Sequence, residues 1–228
     1  MGGSIARKLL KEQLGVETNS YTEQIGKIKV VKEVDKKLFK SIYSNVVRCP
    51  SKITATKMEK SILNARKKGD SLGGIIKSVT MNVPPGLGEP IFGSLESDIS
   101  KAIFSIPAVK GVEFGSGFAG SERFGSENND PFIIKNGKIS TKTNNSGGIL
   151  GGISNGMPIV FRVAFKPASS IAKYQDTVNV KTKKNIKLQV GGRHDPCVVP
   201  RAPPVVDSLV SLILADHALL SALIKPVL

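Results

Sequence analysis

The feature that most limits the fold of this 228-residue chain is an irregular alternation of strand and helix signals. Some segments repeat apolar residues at helical spacing, and others alternate apolar with polar residues. The two kinds of segment do not follow each other with the regular spacing of βαβ units. The pattern therefore favours an α+β fold with antiparallel sheets. With 40% apolar residues, the chain can bury a sizeable core, as one large domain or two smaller ones.

The periodicities place the individual elements. Helices are predicted at Ser4–Leu14, Val34–Ser44, Ser51–Lys68, Ile91–Ile106 and Pro203–Leu223. Strands are predicted at Tyr21–Val31, Ile75–Val83, Val109–Phe114, Pro158–Phe165 and Asn185–Val190. From residue 115 to 130 the chain is polar and rich in glycine, which is typical of a functional or disordered loop.

The net charge of +15 indicates an anionic partner. Nucleic acid is one possibility, but only 5% of the residues are aromatic, there is no Trp, and no aromatic residues interleave with the lysines as a base-stacking surface requires. A phosphorylated or carboxylated small substrate, or a phosphate-bearing cofactor, fits the charge equally well. Charge alone does not distinguish these partners.

The remaining composition predicts a protein without metal, disulfide or membrane span. Cys49 and Cys197 are far apart and show no metal-ligand spacing, so a disulfide framework is not expected. No apolar run reaches the roughly 18 residues of a membrane span. The first residues, 1–8, contain no hydrophobic signal core, which predicts a cytoplasmic location.

One charged stretch, residues 191–201, is a candidate site. It carries Arg193, His194, Asp195 and Arg201 on a backbone stiffened by proline, between a predicted strand and the last predicted helix. The two arginines could bind phosphate or carboxylate, and the positive charge of Arg193 favours ionised Asp195. His194 is more often a hydrogen-bonded bystander in such a loop. A solvated basic loop explains the residues equally well.

Two further segments could bind an anion. The glycine-rich run 144–156 could turn backbone N–H groups toward a ligand, although a tight glycine turn packed beneath a sheet is slightly favoured. The segment Phe165–Ile171 combines a lysine, a proline and two serines, the parts of a phosphate clamp. A strand end capped by a serine turn is the common alternative. His217 lies on the last predicted helix and is expected to be structural.

Taken in order, these motifs resemble those of chorismate synthase. The resemblance rests on Gly192-Arg193-His194-Asp195-Pro196-Cys197 followed by Pro200-Arg201-Ala202 and a helix with Leu214-Ala215-Asp216. The preceding motifs occur in the order of that family: residues 48–50, 69–74, 83–90, 105–113, 147–156 and 166–170. The resemblance covers essentially the whole chain and is highly specific because so many motifs keep their order.

The resemblance implies a carbon–oxygen lyase that removes phosphate from 5-enolpyruvylshikimate-3-phosphate by anti-1,4-elimination, giving chorismate. It implies reduced FMN as cofactor, an association with NADP, a cytoplasmic homotetramer in the shikimate pathway of aromatic amino acid biosynthesis, and helices sandwiched between antiparallel sheets. The flavin contacts carried over are Pro107, Ala108, Gly151, Lys166, Pro167, Ala168, Ser169, Ser170 and Arg193. Asp195 matches the catalytic carboxylate near the flavin, a relay for the substrate proton through flavin N5. No metal and no nucleic acid are implied.

The chain departs from the family pattern in two respects. Ala168 stands where the family usually has threonine, which removes one hydroxyl donor worth on the order of 1 kcal/mol. The Gly-Glu-Ser-His-Gly and Arg-Ser-Ser motifs, and the histidines proposed as acid–base groups, have no counterpart, so we expect a single domain over residues 1–228 that lacks the family's N-terminal third. Such a chain is expected to aggregate or to melt without cooperativity. The alternative function is an inactive fragment that binds only flavin or a partner subunit.

Overall fold

A computed structural model describes residues 1–31 and 36–225 of the chain. Contacts between Cα atoms divide the chain into two compact units. The first unit comprises Met1–Tyr21, Ile76–Ala164 and Ala202–Leu228, and the second comprises Thr22–Ile75 and Phe165–Arg201. Each unit is therefore discontinuous in sequence. The prediction of a single domain stays a prediction.

The fold is α+β, as the sequence predicted. The helices are α1 (Gly2–Leu14), α2 (Lys52–Lys67), α3 (Leu95–Phe104), α4 (Gly125–Asn128) and α5 (Pro203–Leu220). The strands are β1 (Glu17–Ile25), β2 (Ile28–Lys29), β3 (Gly74–Met81), β4 (Val109–Phe114), β5 (Phe132–Lys135), β6 (Lys138–Thr141), β7 (Ile149–Leu150), β8 (Ile153–Ser154), β9 (Ile159–Phe165), β10 (Tyr174–Asn179) and β11 (Lys184–Gln189). Segments of 3-10 helix span Lys36–Ser44, Ile91–Gly93, Gly117–Glu122 and Val199–Arg201.

The core of the first unit lies between its sheet and the helices α1, α3 and α5. Strands lie in the order β1-β3-β9-β4, and α5 packs against both α1 and α3. Buried and partly exposed residues alternate along β9. Phe161 and Val163 on its inner face are fully buried, as expected for a strand with one apolar face. Leu214 of α5 and Ile99 of α3 are also fully buried. Burial of these side chains from water is the main stabilising term.

Hydroxyl groups inside the first unit are paired across neighbouring strands. Ser20 of β1 donates to the hydroxyl of Ser78 of β3 at 3.0 Å, and the Thr18 and Thr80 hydroxyls lie 3.2 Å apart. Buried polar groups must find a partner, and these four partner each other. The pairing explains why β1 is a strand although its first half is polar.

Helix α5 is the one helix, within residues 1–31 and 36–225, that is long and apolar enough to cross a membrane. Its apolar composition has another cause in this structure. Val206, Val210, Leu214 and Ala218 are fully buried against the other elements of the first unit. A core helix of this kind is apolar because it is packed, and Pro203 at its first position suits the helix start.

The second unit holds the end of β1, the strand β2, helix α2 and the hairpin of β10 and β11. β2 pairs with the end of β1 through a turn at Gly26, whose φ is 54°. Ser51 caps α2 by accepting a hydrogen bond from the N–H of Thr54. β10 and β11 pair over six residues each, from Tyr174 opposite Gln189 to Asn179 opposite Lys184.

Several predicted boundaries are confirmed and several are wrong. The predicted helices at 4–14 and 51–68 and the strand Val109–Phe114 match the structure within two residues, and Gly15 ends α1 with a φ of 69°. The strand predicted at Tyr21–Val31 is a hairpin, because Gly26 turns the chain. The helix predicted at Ile91–Ile106 begins at Leu95, since Ser94 is extended and caps it. Of the helix predicted at 34–44, residues 34 and 35 lie outside the described residues.

Candidate functional site

A cavity of about 710 Å³ in the second unit is lined by Arg193, His194, Asp195 and Arg201 of the charged stretch, whereas Lys166–Ser170 are not among its lining residues. Its lining comes from the end of α2, the turn that follows it, the chain before β10 and the stretch after β11: Arg66, Gly69, Asp70, Ile171, Ala172, Gly192, Arg193, His194, Asp195, Pro196 and Arg201. The size is in the range of pockets that hold cofactor-sized ligands. The charged stretch 191–201 is thus part of a concave site.

Asp195 is paired with Arg201 inside the stretch. A terminal nitrogen of Arg201 lies 2.9 Å from a carboxylate oxygen of Asp195. The sequence pointed to Arg193 as the positive charge beside Asp195, and the structure shows Arg201 as the ion-pair partner. The 3-10 turn Val199–Arg201 bends the chain back and brings Arg201, six residues on, to the carboxylate. Asp195 keeps 28% of its side-chain surface exposed, so one side of the carboxylate remains available to a ligand.

Two guanidinium groups of the cavity are available for an anion. Among the described residues, neither Arg66 nor Arg193 makes an ion pair or a side-chain hydrogen bond. Both are exposed. A Cβ placed on Gly192, whose φ is 106°, would have no atom within 4 Å, so the backbone beside Arg193 is open to a ligand. Guanidinium groups bind phosphate and carboxylate through two parallel hydrogen bonds. The cavity therefore suits a phosphorylated ligand.

His194 and Cys197 have local partners. A ring nitrogen of His194 lies 2.9 Å from the carbonyl oxygen of Val190, in agreement with its predicted role as a hydrogen-bonded bystander. Cys49 and Cys197 are buried and free. Burial raises the pKa of the Cys197 thiol to about 11, and the negative charge of Asp195 adds to the shift. Cys197 is therefore a packing residue rather than a nucleophile.

The segment Lys166–Ser170 follows β9 without regular secondary structure. The ammonium group of Lys166 donates to the hydroxyl of Ser169, so the cation and one hydroxyl of the predicted clamp converge. Ser169, Ser170 and Pro167 are exposed, while Lys166 and Ala168 are half-buried. The segment leads directly into Ile171 and Ala172, which line the cavity.

Pro107, Ala108 and Gly151 lie in the first unit. Pro107 and Ala108 join α3 to β4, and Ala108 has a φ of 73°, an unusual value for a residue with a side chain. Gly151 and Gly152 form the two-residue turn of the β7–β8 hairpin, with φ values of 59° and 86°. Gly152 packs against Ser94, whereas Gly151 is exposed with open space around it. The structure shows a tight glycine turn here, and Gly151 is its accessible position.

A carboxylate that the sequence reasoning missed holds the glycine-rich run in place. Asp130 accepts hydrogen bonds from the N–H of Asn145 at 2.7 Å, the N–H of Ser146 at 2.8 Å and the hydroxyl of Thr143 at 2.6 Å. Burial acts to raise the pKa of Asp130, but these hydrogen bonds together outweigh it and the pKa lies below its usual value. Its position before Pro131, at the end of a polar loop, was the available signal.

His217 is a core residue of the first unit. Its side chain is 5% exposed, and a ring nitrogen lies 3.0 Å from a carboxylate oxygen of Asp98 in α3. The pair links α5 to α3, which supports the predicted structural role. Asp207 of α5 is also buried, with an oxygen 3.7 Å from Arg7 of α1.

The positive charge is concentrated in the second unit. By sequence, this unit holds 21 of the 33 Lys and Arg residues and 7 of the 18 Asp and Glu residues, a net charge of +14 out of +15. The first unit is almost neutral. The arginine-lined cavity therefore lies in the part of the chain whose field attracts anions.

Comparison with solved structures identifies the class of protein that has this fold. The structure matches a crystal structure of chorismate synthase with a TM-score of 0.80 and 31% identity, over 96% of this chain and 61% of that chain. The family model for chorismate synthase matches residues 1–219. The chain belongs to the chorismate synthase family.

Curated relatives agree. The chain is 50% identical to the chorismate synthase of Korarchaeum cryptofilum over 221 residues, covering 97% of this chain and 61% of that protein. It is 48% identical to the chorismate synthase of Dehalococcoides mccartyi over 228 residues, covering 100% of this chain and 62% of that protein. It is 50% identical to the chorismate synthase of Prochlorococcus marinus, covering 96% of this chain and 60% of that protein. The chain thus spans about three fifths of the length of these relatives.

Proposed function

We propose that this chain contributes the flavin-binding and proton-handling part of a chorismate synthase, a carbon–oxygen lyase that converts 5-enolpyruvylshikimate-3-phosphate to chorismate by anti-1,4-elimination of phosphate. The observation that carries the proposal is the family match over residues 1–219. The location of the motif residues Arg193 and Asp195 in one arginine-lined cavity supports it.

The donors of the second unit suit reduced FMN. Lys166, Ser169, Ser170 and Arg193 supply two cations and two hydroxyls, which are the groups that bind phosphate and ring carbonyl oxygens. Pro167 and the Ala168 backbone complete this contact segment, and the family resemblance adds Pro107, Ala108 and Gly151 as proposed flavin contacts. Ala168 offers no side-chain donor, which costs on the order of 1 kcal/mol of affinity relative to threonine.

The chain's own residues then account for the charges that the reaction moves. Reduced FMN, held by Lys166, Ser169 and Ser170, would supply electron density for the loss of phosphate. Asp195, oriented by Arg201, accepts the proton that leaves carbon 6 of the substrate. One C–O bond and one C–H bond break and one double bond forms, so no net oxidation takes place.

The assembly and location follow from the same family. We propose a homotetramer in the cytoplasm, associated with NADP and acting in aromatic amino acid biosynthesis. The concentration of positive charge in the second unit supports two anionic ligands, which together bring two phosphates and two carboxylates.

Two measurements on the 228-residue chain test the proposal. Flavin fluorescence during titration of FMN into the chain measures binding, and phosphate release from the enolpyruvyl substrate with reduced FMN under anaerobic conditions measures turnover. Binding together with release supports the enzyme. Absence of both overturns the proposal.

A second candidate is a binding module without turnover. It is favoured by the coverage, since the chain spans only 61% of the relative from Korarchaeum cryptofilum. Flavin binding without phosphate release is the outcome that distinguishes this module from the enzyme.

A further inference from the structure

We propose that the turn Gly69–Gly74 is a positioning element of the candidate site, with Ser71 and Asp70 as its positioning residues. The inference rests on the proposed function, because it concerns the two segments assigned there to flavin and substrate. These segments are Lys166–Ser170 and Arg193–Asp195. Both segments are far from the turn in sequence. The turn is nevertheless hydrogen-bonded to the first segment and to Pro196, the residue that directly follows the second.

Ser71 is hydrogen-bonded to the backbone of the first segment. Its hydroxyl donates to the carbonyl oxygen of Ala168 at 2.6 Å. Ser71 is only 9% exposed, so this bond is shielded from water. Since Ala168 lies in the middle of Lys166–Ser170, the hydroxyl fixes the backbone between the lysine and the two exposed serines. Loss of the hydroxyl leaves the carbonyl oxygen without this partner.

Asp70 holds the chain just after the same segment. Its carboxylate lies 2.6 Å from the ammonium group of Lys173, which directly precedes β10. The N–H of Ala172 donates to the carbonyl oxygen of Gly69 at 2.9 Å. Asp70 also accepts from the N–H of Ser71 at 2.9 Å, which sets the side chain that reaches Ala168.

The next residue of the turn holds the second segment. The N–H of Leu72 donates to the carbonyl oxygen of Pro196 at 2.8 Å, and Pro196 follows Asp195 directly. A single turn therefore fixes the backbone that carries the proposed flavin contacts Lys166–Ser170 and the backbone next to the proposed catalytic carboxylate. Displacement of such groups by about 1 Å is enough to impair binding and catalysis.

The close approach of two backbone segments explains why the residue after Leu72 is a glycine. A Cβ at Gly73 would collide with the carbonyl oxygen of Phe165 and would lie 3.0 Å from Cδ of Pro167. The backbone of Gly73 thus lies directly against the start of the Lys166–Ser170 segment. The segment has no strand or helix of its own to set its position, so contacts with the turn do so.

The experiment compares Ser71→Ala and Asp70→Asn with the unchanged 228-residue chain. Hydrogen exchange followed by mass spectrometry measures the order of peptides covering 166–173 and 193–196 without ligand, and FMN titration measures affinity. Ser44→Ala is the matched control, because the Ser44 hydroxyl makes only a local bond to the carbonyl oxygen of Ser41. Lys173→Met removes the other member of the Asp70–Lys173 ion pair. Its control is Lys184→Met, which removes one ammonium group from the hairpin that follows Lys173.

Ser71→Ala is expected to speed exchange in peptide 166–173 and to weaken FMN binding by about tenfold, with the melting temperature changed little more than in Ser44→Ala. Asp70→Asn and Lys173→Met, which alter an exposed pair, are expected to weaken FMN binding by about threefold without affecting folding, and Lys173→Arg is expected to restore it. Unchanged exchange in 166–173 for both Ser71→Ala and Asp70→Asn overturns the inference. Absence of FMN binding by the unchanged chain counts against the proposed function instead, and exchange then decides the positioning role.

Discussion

The guanidinium group of Arg201 lies 2.9 Å from the carboxylate of Asp195, and both residues line the candidate cavity. Arg201 is 70% exposed, so the pair contributes little to stability, under about 1 kcal/mol. Its consequence is geometric. A carboxylate that is held on one side and exposed on the other is suited to accept a proton from a bound ligand.

Asp195→Asn is therefore expected to separate binding from turnover. Asparagine cannot accept the substrate proton, so phosphate release should fall by roughly 100-fold or more, while the FMN dissociation constant should change by less than about threefold. Single-turnover phosphate release and flavin fluorescence measure the two. Asp176→Asn removes an exposed carboxylate of β10 and should leave both values unchanged. Undiminished release from Asp195→Asn contradicts the proposed role.

Arg66 extends the anion site beyond the residues found from the sequence. It lines the cavity together with Arg193, and neither makes an ion pair among the described residues. We expect Arg66→Gln to weaken FMN binding by about tenfold and to leave riboflavin, which has no phosphate, unaffected if the guanidinium group contacts the cofactor phosphate. Lys67→Gln, an adjacent exposed cation, is the control. Equal loss of affinity for both flavins, or no loss in Arg66→Gln, excludes a phosphate contact.

Cys197 should resist thiol reagents in the native chain. Burial raises the pKa of its thiol to about 11, so on the order of one molecule in a thousand carries the thiolate at pH 8. Burial also raises the pKa of Cys49. Alkylation with iodoacetamide at pH 8, followed by mass spectrometry, should label neither residue within minutes and both residues in urea. Rapid native labelling of Cys197 would show that the stretch 193–197 opens.

Local sequence signals were enough to predict the helix ends whose capping groups bond to neighbouring residues. Ser51 and Gly15 mark helix ends that the structure reproduces, because caps depend only on neighbouring residues. The first half of β1 escaped prediction, since Ser20 is tolerated there only through its bond to Ser78, 58 positions away. No periodicity encodes such a long-range pairing.

The candidate site shows the same division. Arg193 and Asp195 could be found from their motif, but the partner of Asp195 could not, because the 3-10 turn before Arg201 determines which arginine reaches it. The positioning role of Ser71 was equally hidden. Its hydrogen-bond acceptor, the Ala168 carbonyl oxygen, lies 97 positions away.

Asp130 should make the stability of the chain depend on acid pH. Its hydrogen bonds from Thr143, Asn145 and Ser146 hold the pKa of the carboxyl group below its usual value despite burial. A pKa that is depressed in the folded state gives stability that is fully present above the unfolded value of about 3.9 and is lost as pH falls through the folded value. Asp130→Asn should lower the free energy of unfolding by about 1–3 kcal/mol at pH 7 and flatten its dependence on pH below about 4.

Urea unfolding between pH 3 and pH 7 measures both effects, and Asp216→Asn is the control. Asp216 is an exposed carboxylate on α5, in the same unit, so its replacement should leave the acid dependence intact. Because Asp130 anchors the backbone at Asn145 and Ser146, just before the glycine turn, Asp130→Asn should also speed hydrogen exchange in peptide 143–148. Equal stability and exchange in Asp130→Asn and Asp216→Asn would mean that the loop is held without the carboxylate, and the Asn144 side chain, which donates to the carbonyl oxygen of Pro158, would then be a remaining anchor.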